Sequence, residues 1–251
     1  MSAPLPVKTP WEFRLRAVFI AIAFGLGFFL GYPIQAALFH DIDPTFVMLG
    51  ERMGPGGIVA CAWMAAGIAI AAWLVRLWGS SYHAGGVVMS GDVITDTLTL
   101  AGPYRYVRNP LYLGNVLLAV AIGILGPPVV TLLVIALNLW FVYRLIGIEE
   151  RFLRNAMGAA YERYCAAVPR LFPRFTPAPL GHDLRKPNVA YGFLTELFSL
   201  GFATAMVYFA IALPRGGGRN IGVAFWSIAF LAIAMQMVLS PVARRAGGES
   251  P

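Results

Sequence analysis

Five long stretches of uncharged, mostly apolar residues dominate this chain, and they restrict it to a bundle of membrane-crossing helices. The first two run from Ala17 to Phe39 and from Met53 to Val75. Each is comparable to the roughly 20 residues that a helix needs to cross the hydrocarbon core. The third, Leu111 to Tyr143, is too long for one crossing and is interrupted by Gly126-Pro127-Pro128, which ends a helix and turns the chain. A helical hairpin is therefore predicted. Its first arm, Leu111 to Leu125, spans about 22 Å at 1.5 Å per residue, so it is expected to tilt or to cross only in part. Leu197 to Leu213 and Ile221 to Val242 follow as a last pair. The predicted fold is all-α, a polytopic transmembrane helical bundle. Hydrophobic residues make up 59% of the chain and charged residues 12%, and a soluble surface would need far more charge. The first run is followed by no small-residue cleavage site and reads as a retained helix.

The net charge of +7 comes from Lys and Arg that flank the apolar runs. This pattern suits anionic lipid headgroups and gives no basic face with interleaved aromatics for nucleic acid. With the N-terminus inside, all but Arg52, Arg215 and Arg219 fall on the cytoplasmic side, as retention of cations there requires. Both termini are then cytoplasmic, as are the two segments long enough to build a site, Gly79 to Pro110 and Glu149 to Val189. Arg76 and Glu196 read as groups at the inner interface. Cys61 and Cys165 are too few for a disulfide framework or a four-cysteine metal site and read as small packing residues; no metal is expected.

The first inner segment ends in Asp96-Thr97-Leu98-Thr99-Leu100-Ala101-Gly102-Pro103-Tyr104-Arg105-Tyr106-Val107-Arg108-Asn109-Pro110-Leu111-Tyr112-Leu113-Gly114 and runs directly into the hairpin. Pro110 suits the first position of a helix and Asn109 its N-cap, so backbone donors there could face a carboxylate. Interfacial anchoring by Arg and Tyr explains the same residues. The second inner segment begins at Glu149 and Glu150, with Arg144 one and a half turns earlier. A helix C-terminus disfavours carboxylates, so the two acids need a partner or a role, such as binding a ribose diol or a cation. The alternative is a helix that continues into water with Arg151 and Arg154 as neighbours. Residues 158–164 and the following Val168-Pro169-Arg170-Leu171-Phe172-Pro173 suggest an amphipathic surface helix ended by prolines. His83, His40 and His182 read as solvated residues, His83 being at most a helper.

Gly-Pro-Tyr, then Arg-x-Pro-x-Tyr-x-Gly, a hairpin, a Glu-Glu pair, Tyr-x-x-Tyr and Val-Pro-Arg-x-x-Pro occur in that order between Asp96 and Pro173. In this combination the chain resembles the isoprenylcysteine carboxyl methyltransferase and phospholipid N-methyltransferase group. The resemblance implies three parts: residues 1–95 with the N-terminal helices and inner loop, 96–175 as the methyltransferase core, and 176–251 with the last helix pair. It also implies an S-adenosylmethionine pocket between cytoplasmic cofactor-binding loops and the hairpin ends, reached by a lipid or a lipophilic small molecule from the bilayer. By similarity, Asp96, Thr97, Leu98 and Thr99 line the adenosine side and Tyr104 packs on the cofactor. Asn109, Pro110, Leu111 and Tyr112 hold its methionine end, Arg108 is a further cofactor-binding residue, Glu149 or Glu150 takes the ribose, and Arg144 and Glu150 are the candidate catalytic residues. The family usually carries Arg-His-Pro where this chain has Arg108-Asn109-Pro110, so a hydrogen-bonding role survives and a titrating one does not.

Methyl transfer from a sulfonium needs positioning and removal of water more than a catalytic triad, which suits so sparse a polar inventory. Two other readings share some of these features. A membrane sterol reductase binds NADPH with related Arg-x-Pro and Tyr-x-x-Tyr elements, but such enzymes are longer and need a larger cationic site. A non-enzymatic membrane protein such as a transporter predicts charges near the bilayer midplane and repeated halves, and neither is visible.

Overall fold

The computed structural model describes residues 15–82, 99–180, 186–216 and 218–247. Asp96, Thr97, Leu98, His83 and His182 lie outside them. Among the described residues there is no strand, and five helices are long and apolar enough to cross a membrane. The protein is a multi-pass, all-α membrane bundle.

Helix α1 (Arg16–Phe39) leads to the short α2 (Thr45–Arg52) and then to α3 (Gly57–Ser81). A 3-10 turn at Gly102–Arg105 precedes the hairpin formed by α4 (Pro110–Gly123) and α5 (Pro128–Met157). The short α6 (Ala159–Ala167) and α7 (Val189–Thr195) follow, and then α8 (Leu197–Ala212) and α9 (Gly218–Ala246). At 14 residues, α4 is about 21 Å long and is the short arm expected from the sequence. The break falls at Gly126-Pro127-Pro128, and α2 seals that end, with Thr45 N–H donating to the Gly126 carbonyl at 2.8 Å and Phe46 N–H to that of Ile124 at 3.1 Å.

Small residues let the helices approach closely, which is how helices associate where lipid is as apolar as they are. In α1, a Cβ on Gly27 would lie 2.8 Å from Val134 Cα, and one on Gly31 would lie 2.8 Å from Val130 Cα. Phe19 stacks on Phe141 at 5.3 Å between ring centroids. Thus α1 runs antiparallel to α5 from Phe19 to Gly31. Helix α3 packs on α4 and α8 through a face of alanines, with Ala62, Ala65, Ala66, Ala69 and Ala72 buried against Leu118, Ala205 and Met206. Helix α9 closes the bundle against α8, where Ala232 faces Gly201 and Gln236 Oε1 accepts from Phe198 N–H at 2.8 Å.

Two expectations are corrected. The helix does not end with the uncharged run at Val75: α3 continues to Ser81, so Arg76 lies inside it and is buried at 7% exposure. Glu196, expected at the interface, is fully buried at 0%. Each charge sits beside the other, which is why neither has to face water.

Candidate cofactor site at the hairpin ends

The residues before α4 and after α6 form one laced layer. Arg108 N–H donates to the Pro169 carbonyl, Arg174 N–H to that of Tyr106 and Ala178 N–H to that of Arg105, each at 2.9 Å. The Tyr164 hydroxyl donates to the Tyr104 carbonyl at 2.9 Å, and the Arg105 guanidinium donates to the Ala178 carbonyl. Helix α6 turns inward after Gly158, whose φ of +53° suits a residue without Cβ. It buries Tyr161 and Tyr164 with Val168 and Ala178, so the predicted amphipathic helix is present and one face of it is packed. Burial holds the Tyr104 and Tyr164 hydroxyls well above the usual phenol value of 10.0.

Glu150 fastens this layer to α5. Its Oε1 accepts from Arg108 Nη2 at 3.1 Å and Arg170 Nε at 3.0 Å, and its Oε2 from Arg154 at 3.4 Å and from Arg170 Nη2. At 1% exposure, the carboxylate is repaid for its lost hydration by these three cations, and its hydrogen bonds push the Arg170 guanidinium further up. Both oxygens are engaged, an arrangement that suits a clamp better than a group open to substrate. Arg170 belongs to the Val-Pro-Arg-x-x-Pro motif, and its pairing with an acid 20 residues earlier has no local sequence signal.

Glu149 points elsewhere. It is half-buried and hydrogen-bonds with the Tyr112 hydroxyl, with the charge of Arg16 nearby. Tyr104, buried beside Gly79 of α3, also lies in the field of Glu149. Tyr104, Tyr112 and Glu149 are thus brought together where α3, α4 and α5 meet, and Thr99 lies half-buried on the approach to the 3-10 turn. Arg144 is exposed on α5, about 140° around the helix from Glu149 at 3.6 residues per turn, and it does not join them.

Asn109 occupies the N-cap position of α4 but makes no side-chain cap; its amide donates to the Arg170 carbonyl at 2.9 Å instead. That is the correction to the capping expectation: among the described residues no N-cap side chain meets the first-turn amides of Leu111 and Tyr112, which follow Pro110. Arg108 Nε is buried with no partner. Uncapped amides at a helix start and a buried guanidinium N–H are a donor set for an anion such as a carboxylate, and a half-buried carboxylate nearby is an acceptor for hydroxyls or an ammonium. These residues fit the amino-acid end and the ribose of an adenosyl cofactor.

Residues 56–160 match the family model described as phospholipid methyltransferase. This segment carries the phospholipid methyltransferase pattern. It begins at the start of α3 and ends within α6, so it contains Tyr104, Tyr112 and both glutamates. Over 102 residues the chain is 31% identical to the cobalt-zinc-cadmium resistance protein CzcN of Cupriavidus metallidurans, covering 40% of this chain and 44% of that protein. The chain therefore spans less than half the length of this curated relative. No solved structure matches. The matched segment contains both hairpin helices, α4 and α5, in full and excludes α8 and α9.

Proposed function

We propose that this protein is an integral membrane methyltransferase that uses S-adenosylmethionine to methylate a lipid or lipophilic small molecule at the cytoplasmic face. The observation that carries the reading is the meeting of the uncapped start of α4 with Tyr112 and Glu149 inside the phospholipid methyltransferase segment. When bound, the cofactor supplies a methyl group already activated on a sulfonium. The first-turn amides of α4 would hold its carboxylate, Glu149 its ribose hydroxyls, and Tyr104 would cover its flat side. Glu150 and its arginines would keep the loop layer closed over that end and exclude water. Arg144, on the exposed face of α5, would meet an acidic headgroup at the membrane surface.

The test is ligand-dependent melting of the detergent-solubilised protein with S-adenosylmethionine, S-adenosylhomocysteine and NADPH, for the wild type and for Glu149→Ala and Tyr104→Ala, because a ligand specific for the folded state stabilises it by mass action. The adenosyl ligands are expected to raise the wild-type melting temperature and to lose that effect in both variants. Stabilisation by NADPH alone would replace this reading with the membrane reductase.

A further inference from the structure

Arg76 and Glu196 stand 120 residues apart, on α3 and at the start of α8, and meet inside the bundle. Arg76 Nε donates to Glu196 Oε2 at 2.6 Å and its Nη2 to Oε1 at 3.1 Å, a two-pronged pair. Ser80 and Ser199 donate to the same carboxylate at 2.6 and 3.1 Å, so every charge in the cluster is answered. The third nitrogen of the guanidinium reaches in another direction. Nη1 donates to the Leu111 carbonyl at 2.9 Å and to Asn115 Oδ1 at 2.8 Å, gripping the first turns of α4. Phe198 of α8 lies under the guanidinium, 4.7 Å from ring centroid to Cζ. Gly114 makes room for this reach, since a Cβ there would overlap the Arg76 stem.

We infer that Arg76 and Glu196 are positioning residues that set the start of α4, so that α8, outside the matched segment, holds the cofactor site in register. This rests on the proposed function, which places the cofactor's carboxylate at that helix start. A guanidinium held at two nitrogens by Glu196 has one orientation left for the third, and that orientation fixes the Leu111 carbonyl and the side chain of Asn115. Without Glu196, Arg76 would be free to swing, and the donors of the first turn would lose their registration with the ligand, although neither residue touches it.

A pair of this kind could also serve stability alone, and the experiment separates the two. Replacing both charges with apolar side chains of similar size commonly preserves or raises stability, so the double variant Arg76→Met/Glu196→Leu should fold, while the grip on Leu111 and Asn115 is gone. S-adenosylhomocysteine affinity is measured by calorimetry on the full-length protein in detergent, beside its melting temperature without ligand. The expected result is a melting temperature near that of the wild type with affinity weaker by about tenfold or more, since a misplacement of about 1 Å in positioned groups can cost about 100-fold. Gly114→Ala, which displaces the Arg76 stem and leaves the charges in place, should weaken affinity in the same direction. Wild-type affinity in a stable double variant overturns the inference and leaves the proposed function intact. If the double variant does not fold, Gly114→Ala decides in the same way. Failure of the wild-type protein to bind the ligand overturns the proposed function, and this inference with it.

Discussion

The Tyr112 hydroxyl hydrogen-bonds to the Glu149 carboxylate, joining the first turn of α4 to the far end of α5. The two arms of the hairpin are thereby tied at the end opposite their connecting turn. Glu149→Gln keeps the shape of the side chain and removes its charge. Since hydrogen bonds to a charged group contribute about 1.5–3 kcal/mol, S-adenosylhomocysteine affinity should fall about 10- to 100-fold in calorimetry. Tyr112→Phe, which removes only the tie, should cost less. Unchanged affinity in Glu149→Gln would remove Glu149 from the site.

Glu150→Ala should behave differently from its neighbour. It strips the shared carboxylate from Arg108, Arg154 and Arg170, and leaving the buried charge of Arg108 uncompensated costs about 3–5 kcal/mol. A marked fall in melting temperature without ligand is expected. Arg154→Ala, at a position 39% exposed, should cost no more than about 1 kcal/mol. Equal melting temperatures for the two variants would refute the clamp.

The buried phenols predict an alkaline limit. Tyr104 and Tyr164 have folded-state values raised above 10.0 by burial, so the folded protein keeps protons that the unfolded chain releases. Their contribution is complete below about pH 10 and declines as pH rises above it. Melting temperature should fall between pH 10 and 12, and less steeply in Tyr164→Phe. Identical slopes would show that other groups set the limit.

Two glycines of α1 offer a matched pair. Gly27→Ala places a methyl group against the Val134 backbone and should destabilise by about 1–3 kcal/mol, the usual cost of overpacking. Gly25→Ala meets nothing within 4 Å and should be neutral or slightly stabilising through helix propensity. Melting of the two variants in one detergent checks both, and equal behaviour would argue against close packing of α1 on α5.

Hydropathy and turn chemistry made much of this architecture legible. The Gly126-Pro127-Pro128 break, the short first arm and the last helix pair follow from run length and from what proline does to a helix. The short α2 was not foreseen, because its eight residues include Glu51 and Arg52 and resemble a polar connection. Arg76 and Glu196 were misplaced for a related reason: a charge beside an apolar run looks like the end of a helix, and only a partner far away in sequence allows the helix to continue. At the site, the adjacency of Glu149 and Glu150 was plain, but their different roles were not. Successive residues on a helix point about 100° apart, so one acid faces Tyr112 while the other faces three arginines.

The pairing of α1 with α5 bears on how the chain is made. Val130 and Val134, the residues that receive Gly31 and Gly27, emerge from the ribosome about a hundred residues after those glycines. At the usual 5–20 residues per second, synthesis of the intervening chain takes about 5–20 s. For that interval α1 resides in lipid with its glycine face uncovered, and the hairpin completes its lateral docking when it arrives.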